Sequence, residues 1–578
     1  MFLVACLSLV LAYLLWTVVR LASNYVEAKK TGLPILLCPV NPGSPLWMLS
    51  KEVLIPIFLR LPFGIGDWAG RAEVGWTFKE KFSVHARHGE AFIIVSPGEN
   101  EIILANPSAT DEVMRRRNDF IKNPALYGML DIYGPNLDTV NGKAWDRHRK
   151  ITVPPFNEQN SALVWRESGE QAEQVLRIWY GKQQVTSTQP DVHAVALNVL
   201  CGAGFGMHSS FVDARLPQDD EASVKEHMGY RESLRMLLAN IVQLVILGFL
   251  KRAGVPNWIW LGNMRRLSRA YDEFKRYMAE MMALEKRAFE QGDFSRHNLM
   301  SELVRALEQS KRVATAGKET ATTTTPGFAL GLTDDEVYGN LFIYNLAGHD
   351  TTASTLHFAI TLLAIYPEWQ EWIAKEIDQV REAESTGLHY YEQTFPKLQR
   401  CLALMYETLR LYGPVVMMPR YTGDSPQRLH IDEEEHFVPS KTGVTINFAA
   451  LHTHPKYWAP DPLTFRPSRW ISPADERGED DVWLQPVPGT FVPWNMGPRV
   501  CPGKKFAQVE FTRLVFGLFA DGTRVELVQQ EGETGQAAKA RVLGVVNRAK
   551  LEVTLKMVDA ETIALRWVKP ASSVSPAV

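Results

Sequence analysis

The stretch Phe491-Val-Pro-Trp-Asn-Met-Gly-Pro-Arg-Val-Cys-Pro-Gly-Lys-Lys-Phe506 decides how the rest of the chain is read. Cys501 follows a turn containing Gly497, and Pro502-Gly503 come next. Ala507, Phe511, Leu514, Val515 and Leu518 then recur at helical spacing. Proline fits the first turn of a helix, where its missing N–H would have no partner anyway, so the helix is expected to open at Pro502. A cysteine at that end lies among backbone N–H groups at the positive pole of the helix. That setting favours the thiolate, the form that binds metal. Arg499 adds a cation two residues away. The alternative is a free cysteine buried in a core turn, as structural thiols usually are.

Composition sets wide bounds around this loop. The chain has 578 residues, 46% of them hydrophobic and 22% charged, enough for a deep core. A net charge of −3 gives no global argument for nucleic acid, and none is expected as a partner. Five cysteines (Cys6, Cys38, Cys201, Cys401 and Cys501) are scattered without a C-x-x-C pair. Neither a disulfide framework nor a zinc site follows, and a reducing compartment fits best.

Residues 1–19 carry no charge and are almost wholly apolar. As a helix they would span roughly 28 Å at about 1.5 Å per residue, close to a bilayer core of about 30 Å. Arg20, Lys29 and Lys30 follow, which places the downstream side in the cytosol. A cleaved signal peptide is the rival. No basic residue opens the segment and no small-x-small cleavage site follows, so an uncleaved anchor over residues 1–20 is expected. Pro34, Pro39, Pro42 and Pro45 then suggest a stiff hinge over 21–50.

Several patterns carry chemistry or scaffold. Residues 91–95 and 101–104 read as paired strands, 107–116 as a short helix, and 118–141 as a variable loop. Trp145 and Arg149 stand four apart, on one face of an expected helix. Residues 191–206 read as a buried helix ending in glycines. Residues 234–250 form a long apolar run, but Arg235, Asn240 and Gln243 favour a core or membrane-surface helix over a second span. Residues 310–328, rich in Thr, Ala, Gly and Lys, read as a mobile linker. Thr333-Asp-Asp-Glu336 is a capping box opening a long apolar helix, broken by polar residues at Ala347-Gly348-His349-Asp350-Thr351-Thr352. His349 has no second ligand at suitable spacing and reads as a core histidine. Glu407-Thr-Leu-Arg410 puts opposite charges at i,i+3 between apolar flanks, which favours burial. Residues 428–431 and 444–448 read as strands around an acidic turn, 542–546 as part of a late hairpin, and the tail 569–578 as disordered.

Trp494-x-x-Gly497-x-Arg499-x-Cys501-x-Gly503 resembles the heme-binding loop of the cytochrome P-450 family, Phe-x-x-Gly-x-Arg-x-Cys-x-Gly. Tryptophan replaces the family phenylalanine and Asn495 a common glycine. A shift in redox tuning, rather than loss of heme, is expected from these departures. Four further motifs resemble the family's in the same order. The Trp145/Arg149 pair and Arg420 would hold heme propionates. Ala347-Gly348-x-Asp350-Thr351 resembles the oxygen-binding signature, in which Gly348 admits close approach to the backbone. A local bulge would free a carbonyl there, and Asp350 and Thr351 would relay protons. Glu407, Arg410 and Arg469 would form the structural Glu-x-x-Arg cluster that fixes the cysteine loop. The resemblance implies a mainly α fold with small β-sheets: one catalytic domain over 51–568, behind a transmembrane anchor.

It also implies heme b with Cys501 as axial iron ligand, and oxygen insertion into a lipophilic substrate. Only about seventy residues follow the cysteine loop, so electrons would come from NADPH through a separate reductase, with cytochrome b5 a further possible donor. Lys504, Lys505 and Arg499 are expected to form its basic docking face. The expected place is the endoplasmic reticulum membrane, with the catalytic domain cytosolic. The run after Cys501 looks like that of filamentous-fungal members that tailor secondary metabolites. Sterol or fatty-acid hydroxylation stays open, as does a heme-thiolate isomerase or dehydratase that needs no dioxygen. Such isomerases tend to lose the acid–threonine pair that Asp350-Thr351 keeps.

Overall fold

The computed structural model describes residues 2–211, 228–293, 297–320, 331–383, 390–472 and 482–569. The chain is mainly helical with small sheets. The helices that position the candidate site are α1 (Phe2–Lys29), α2 (Gly142–Thr152), α3 (Glu158–Tyr180), α4 (Thr188–Phe205), α5 (Asp334–Ile365), α6 (Gln399–Tyr412) and α7 (Lys504–Leu518). The strands of the largest sheet and its hairpin are β1 (Ile35–Leu37), β2 (Ala91–Val95), β3 (Asn100–Leu104), β4 (Met417–Tyr421), β5 (Gln427–Ile431), β6 (Glu434–Val438) and β7 (Thr442–Asn447). Two compact units divide the chain. One comprises Met1–Asn123, Tyr406–Cys501 and Val545–Val558; the other comprises Pro124–Met405, Pro502–Gly544 and Asp559–Val578.

The first unit is built on a sheet in the order β1-β2-β3-β7-β4. Strand β2 reads Ala-Phe-Ile-Ile-Val and is buried at every position, so both faces of the sheet are covered. Successive side chains point to opposite faces. Ile93, Val95, Ile102 and Leu104 accordingly join one apolar cluster with Val113, Val444 and Phe448. Phe92, Ile94 and Ile103 join another with Trp47 and Trp76. Strands β5 and β6 pair as an antiparallel hairpin, turning at Asp432 in a left-handed conformation (φ 54°).

Residues 21–29, the first part of the expected stiff hinge, belong to a helix that packs on the sheet. Helix α1 runs unbroken through Lys29, and Ala28, Leu21 and Tyr25 pack on the first apolar cluster. The Asn24 side chain donates to the Ser96 carbonyl (2.7 Å), and Asn100 donates to the Asn24 carbonyl (2.8 Å). Further up, Leu11, Leu14, Leu15, Val18 and Val19 are exposed. Among the described residues no single helix is long and apolar enough to cross a membrane.

The second unit packs α7 on α3, and α4 on both α3 and α5. Asn160 of α3 donates to the Ala203 carbonyl of α4 (2.9 Å), and Asn198 to Gln171 (2.7 Å). The capping box that opens α5 is formed in both directions. Beside it the chain comes very close at two glycines. A Cβ on Gly339 would lie 2.3 Å from the Gly134 carbonyl oxygen, and one on Gly134 would lie 2.2 Å from that of Asp335. Only glycine lets the loop before α2 lie this tightly on α5.

Four expectations give way here. The apolar run 234–250 breaks into Tyr230–Ala239 and Ile241–Arg252, bent by 100°. At the break Asn240 leaves the helical region (φ −124°, ψ 37°), and its amide donates to the Met236 carbonyl (2.9 Å). Residues 542–546 belong to a helix, Gly535–Asn547, not a hairpin: Ala538, Val542, Val545 and Val546 are its buried stripe. The late hairpin is Lys550–Leu551 with Leu555–Lys556. The stretch 310–328 continues a helix, Leu299–Thr320, and the rest of it lies outside the described residues, as do 570–578. Helix α7 opens at Lys504 with Gly503 as its N-cap, so Pro502 precedes the helix.

Candidate active site

In the first unit the Cys501 loop is pinned from below by a buried charged cluster. Glu407 and Arg410 of α6 have fully buried side chains. The Arg410 guanidinium donates twice to the carboxylate, Nε to Oε2 and Nη2 to Oε1, each at 2.8 Å. Trp470 Nε1–H (3.1 Å) and the Arg466 backbone N–H (2.9 Å) complete the shell. Arg469 Nε lies 3.5 Å from Glu407 Oε1, and its terminal nitrogens donate to backbone carbonyls, including that of Asp461 (3.1 Å). Glu407 thus lies between the guanidinium groups of Arg410 and Arg469. A buried carboxylate needs this density of donors, because removing it from water without partners is costly.

His452 carries the link from this cluster to the loop. Arg410 Nη1 donates to the His452 carbonyl (3.0 Å), and the Val492 N–H donates to His452 Nε2 (2.9 Å). Burial, and then the nearby Arg410 charge, lower its pKa to about 3, so the ring stays neutral and can accept that bond. Phe491 packs on Trp470 (4.6 Å between ring centroids) and Trp494 on Tyr406 (5.3 Å). Nothing local in the sequence marks His452 or Trp470 as parts of this support, since their partners lie 40 and 63 residues away.

The loop itself explains one departure from the family pattern. Asn495 adopts φ 64°, a conformation that short polar side chains tolerate better than other L-residues. Its Oδ1 accepts from the Met496 N–H (2.9 Å), and its Nδ2 donates to the Arg499 carbonyl (3.3 Å). Asparagine thus does here what glycine would, and adds two bonds. The Cys501 N–H donates to the Trp494 carbonyl (2.9 Å), which closes the turn.

Among the described cysteines, Cys501 alone is exposed. Burial pushes the thiol of Cys38 up to about 11 and that of Cys201 to about 12, and it raises Cys401 further. Those three are core thiols; Cys501 is the one placed to ligate a soft metal centre. Arg420 of β4 is 2% exposed, with Nη1 to the Pro419 carbonyl (3.2 Å) and Nη2 to Met114 Sδ (3.3 Å). The basic docking face does not form as expected. Arg499 is buried, and the Lys505 ammonium sits over the Phe395 ring (4.5 Å); only Lys504 is exposed.

In the second unit, Trp145 is buried and the Arg149 guanidinium lies 5.9 Å from its ring centroid, so α2 presents the two together. Their neighbours do scaffold work. Arg147 and His148 both bond Glu336, the capping-box carboxylate of α5. Burial opposes ionisation of Glu336, but the Thr333 N–H, His148 and Arg147 together hold its pKa below the usual carboxylate range.

Helix α5 is buried along nearly its whole length, yet Ala347, Gly348 and Thr351 are accessible at its middle. Between Gly339 and Ile365 these are the three positions that are not buried, and they form a strip onto which a flat group can lie. The bulge expected here is absent: α5 is one continuous α-helix. Thr351 Oγ1 instead donates to the Ala347 carbonyl (2.7 Å), leaving its oxygen lone pairs to accept. Gly348 turns its bare side to α4, where a Cβ would meet Leu200 at 3.5 Å. The most exposed residue of the strip is Ala347. Asp350 is buried, with Oδ1 3.2 Å from His193 Nε2 of α4. His349 is buried too, its ring edge-on to His193.

In the first unit the exposed Cys501 and the buried Arg420 are of the types that hold the iron and a carboxylate of an iron porphyrin, and in the second the accessible strip of α5 is of the type that a flat ring lies on. Comparison with known proteins agrees. The family description Cytochrome P-450 matches residues 63–523. Cytochrome P-450 monooxygenase ORF6 of Penicillium roqueforti (strain FM164) is 32% identical over 557 residues, 90% of this chain and 92% of its own. Cytochrome P-450 monooxygenase prx9 of Penicillium rubens is 31% identical, with the same coverage. A protein named Phomenoic acid biosynthesis cluster cytochrome P-450 monooxygenase, of Leptosphaeria maculans, is 29% identical over 92% of this chain and 93% of its own.

Proposed function

Because this chain belongs to the cytochrome P-450 family of monooxygenases, we propose that it inserts one atom of dioxygen into a lipophilic small molecule made by a secondary-metabolic pathway. The exposed Cys501, in a turn that a buried charged cluster holds in place, carries this reading. Cys501 would ligate the heme iron, and Trp145, Arg149 and Arg420 would take its propionates. Trp494, Arg499 and Gly503 would shape the turn around the sulfur, and Ala347 and Gly348 would lie against the ring. When bound, the heme supplies dioxygen activation, which a thiolate ligand favours by electron donation.

The chain's own part is to exclude water, orient and move protons. The Thr351 hydroxyl, fixed by its bond to the Ala347 carbonyl, accepts a proton on its oxygen and passes on its own. Asp350 is the buried acid beside it. Electrons come from NADPH through a separate reductase, with cytochrome b5 a second possible source. The exposed apolar side of α1 supports attachment to the endoplasmic reticulum membrane, with the body in the cytosol. The relative named for a biosynthesis cluster favours tailoring chemistry over primary sterol or fatty-acid hydroxylation.

The test is to reconstitute the protein with reductase, NADPH and isotopically heavy dioxygen. Lipophilic candidates are first screened by the Soret shifts they induce. One heavy oxygen atom per product molecule is expected. Turnover of the same compounds without NADPH or dioxygen would instead make the protein an isomerase or dehydratase.

A further inference from the structure

Helix α4 places a histidine where the sequence gives no hint of one. His193 Nδ1 lies 2.8 Å from the Gln189 carbonyl oxygen, and Nε2 lies 3.2 Å from Asp350 Oδ1. A carbonyl can only accept, so Nδ1 carries a hydrogen. In a neutral imidazole Nε2 would then be a bare acceptor facing a carboxylate oxygen. The contact is a hydrogen bond only when one more proton lies between the two groups. That proton makes either an imidazolium against a carboxylate or an imidazole against a carboxylic acid. The two side chains differ in access to water as well: that of His193 is 19% exposed and that of Asp350 8%.

We propose that His193 is the proton-supplying residue behind Asp350, holding with it one shared proton that is delivered toward Thr351. The proposal rests on the monooxygenase reading above. His193 touches no reacting atom; it acts through Asp350 and is a positioning residue in that sense. The step balances as a transfer of one proton. It leaves His193 Nε2 for Asp350 Oδ1, and Asp350, whose side chain leaves the helix on a different side from that of Thr351, would give it up toward the Thr351 hydroxyl through a bridging water. On accepting it, Thr351 turns its own hydroxyl hydrogen from the Ala347 carbonyl to an acceptor oxygen in the accessible strip, and the partly exposed imidazole recovers a proton from water. No electron moves in this route. The other groups of α5 that face the ring are His349, edge-on at 5.5 Å between centroids, and His357. His357 is fully buried, and burial first, then the His193 charge, push its pKa down to about 3. Neither competes for the shared proton as an anion would.

The rival is a static clamp between α4 and α5, and His193→Gln separates the two. Glutamine can still donate to Asp350 and hold the helices, but it cannot carry a transferable proton. His193→Phe removes bond and proton together. The first readout needs no turnover: with ring nitrogens labelled, nuclear magnetic resonance of the wild-type holoprotein should show one histidine with a hydrogen on Nδ1 and a second proton shared between Nε2 and the Asp350 carboxylate, and both variants should lack that signal. The second readout is NADPH oxidation with reductase. His193→Gln should keep the wild-type carbonyl spectrum but slow the reaction by about tenfold or more, with a larger solvent deuterium isotope effect. A glutamine variant with wild-type rate and isotope effect, or a wild-type protein without the shared-proton signal, overturns the proposal. A wild-type protein without a thiolate-ligated carbonyl spectrum would fail at the earlier reading instead.

Discussion

Replacing Asn495 by glycine and by alanine should destabilise the cysteine loop to different degrees, in an order set by one backbone angle. Both variants lose the bonds to the Met496 N–H and the Arg499 carbonyl. At a net of about 0.5–1.5 kcal/mol each, that costs about 1–3 kcal/mol. Alanine must also hold φ 64°, a further cost of about 1–2 kcal/mol for an ordinary L-residue. Glycine takes that angle freely but adds about 0.5–1 kcal/mol of freedom to the unfolded chain. The glycine variant should therefore be the more stable of the two by about 1 kcal/mol, and the native asparagine more stable than either. The assay is the urea midpoint for loss of the thiolate-ligated Soret band, measured for all three proteins. An alanine variant equal to wild type would mean that neither the left-handed angle nor the side-chain bonds hold the loop, and the argument would fall.

Glu407→Gln and Glu407→Ala should both lower stability, the alanine change by about 3–5 kcal/mol because it leaves Arg410 charged and uncompensated in the core; a urea midpoint within error of wild type for both would refute the buried-cluster account. His452, at about 3 in the folded protein, binds a proton in the unfolded chain first. Stability should fall as pH drops from about 6.5 toward 3, by at most about 1.4 kcal/mol per pH unit for this group. His452→Gln should flatten that acid limb by its share, and an unchanged slope would show that the ring is not held neutral.

The chemistry was legible in local patterns, and the support was not. Cys501, Glu407 with Arg410, and the capping box at Thr333 each announce themselves within four residues, because the physics behind them acts over one helical turn. The strands β2 and β3 and the helices α2, α5 and α6 were readable for the same reason: apolar spacing reports which side is buried. His193 was invisible because its partner lies 157 residues away. The late hairpin was misplaced because Val542, Val545 and Val546 are β-branched, a strand-like composition, while their spacing is helical. The run 234–250 looks continuous because hydropathy does not register the single non-helical backbone conformation of Asn240. The docking face failed because charge in sequence says nothing of burial, and Arg499 is inside.

The most direct test is the carbon monoxide spectrum of the reduced holoprotein beside that of Cys501→Ser. The wild type should show the red-shifted Soret band of a thiolate-ligated heme, and the serine variant should lose that band together with oxygen insertion. A wild-type band without the thiolate signature, or a serine variant that keeps both the signature and the activity, would contradict the assignment of Cys501 as the iron ligand.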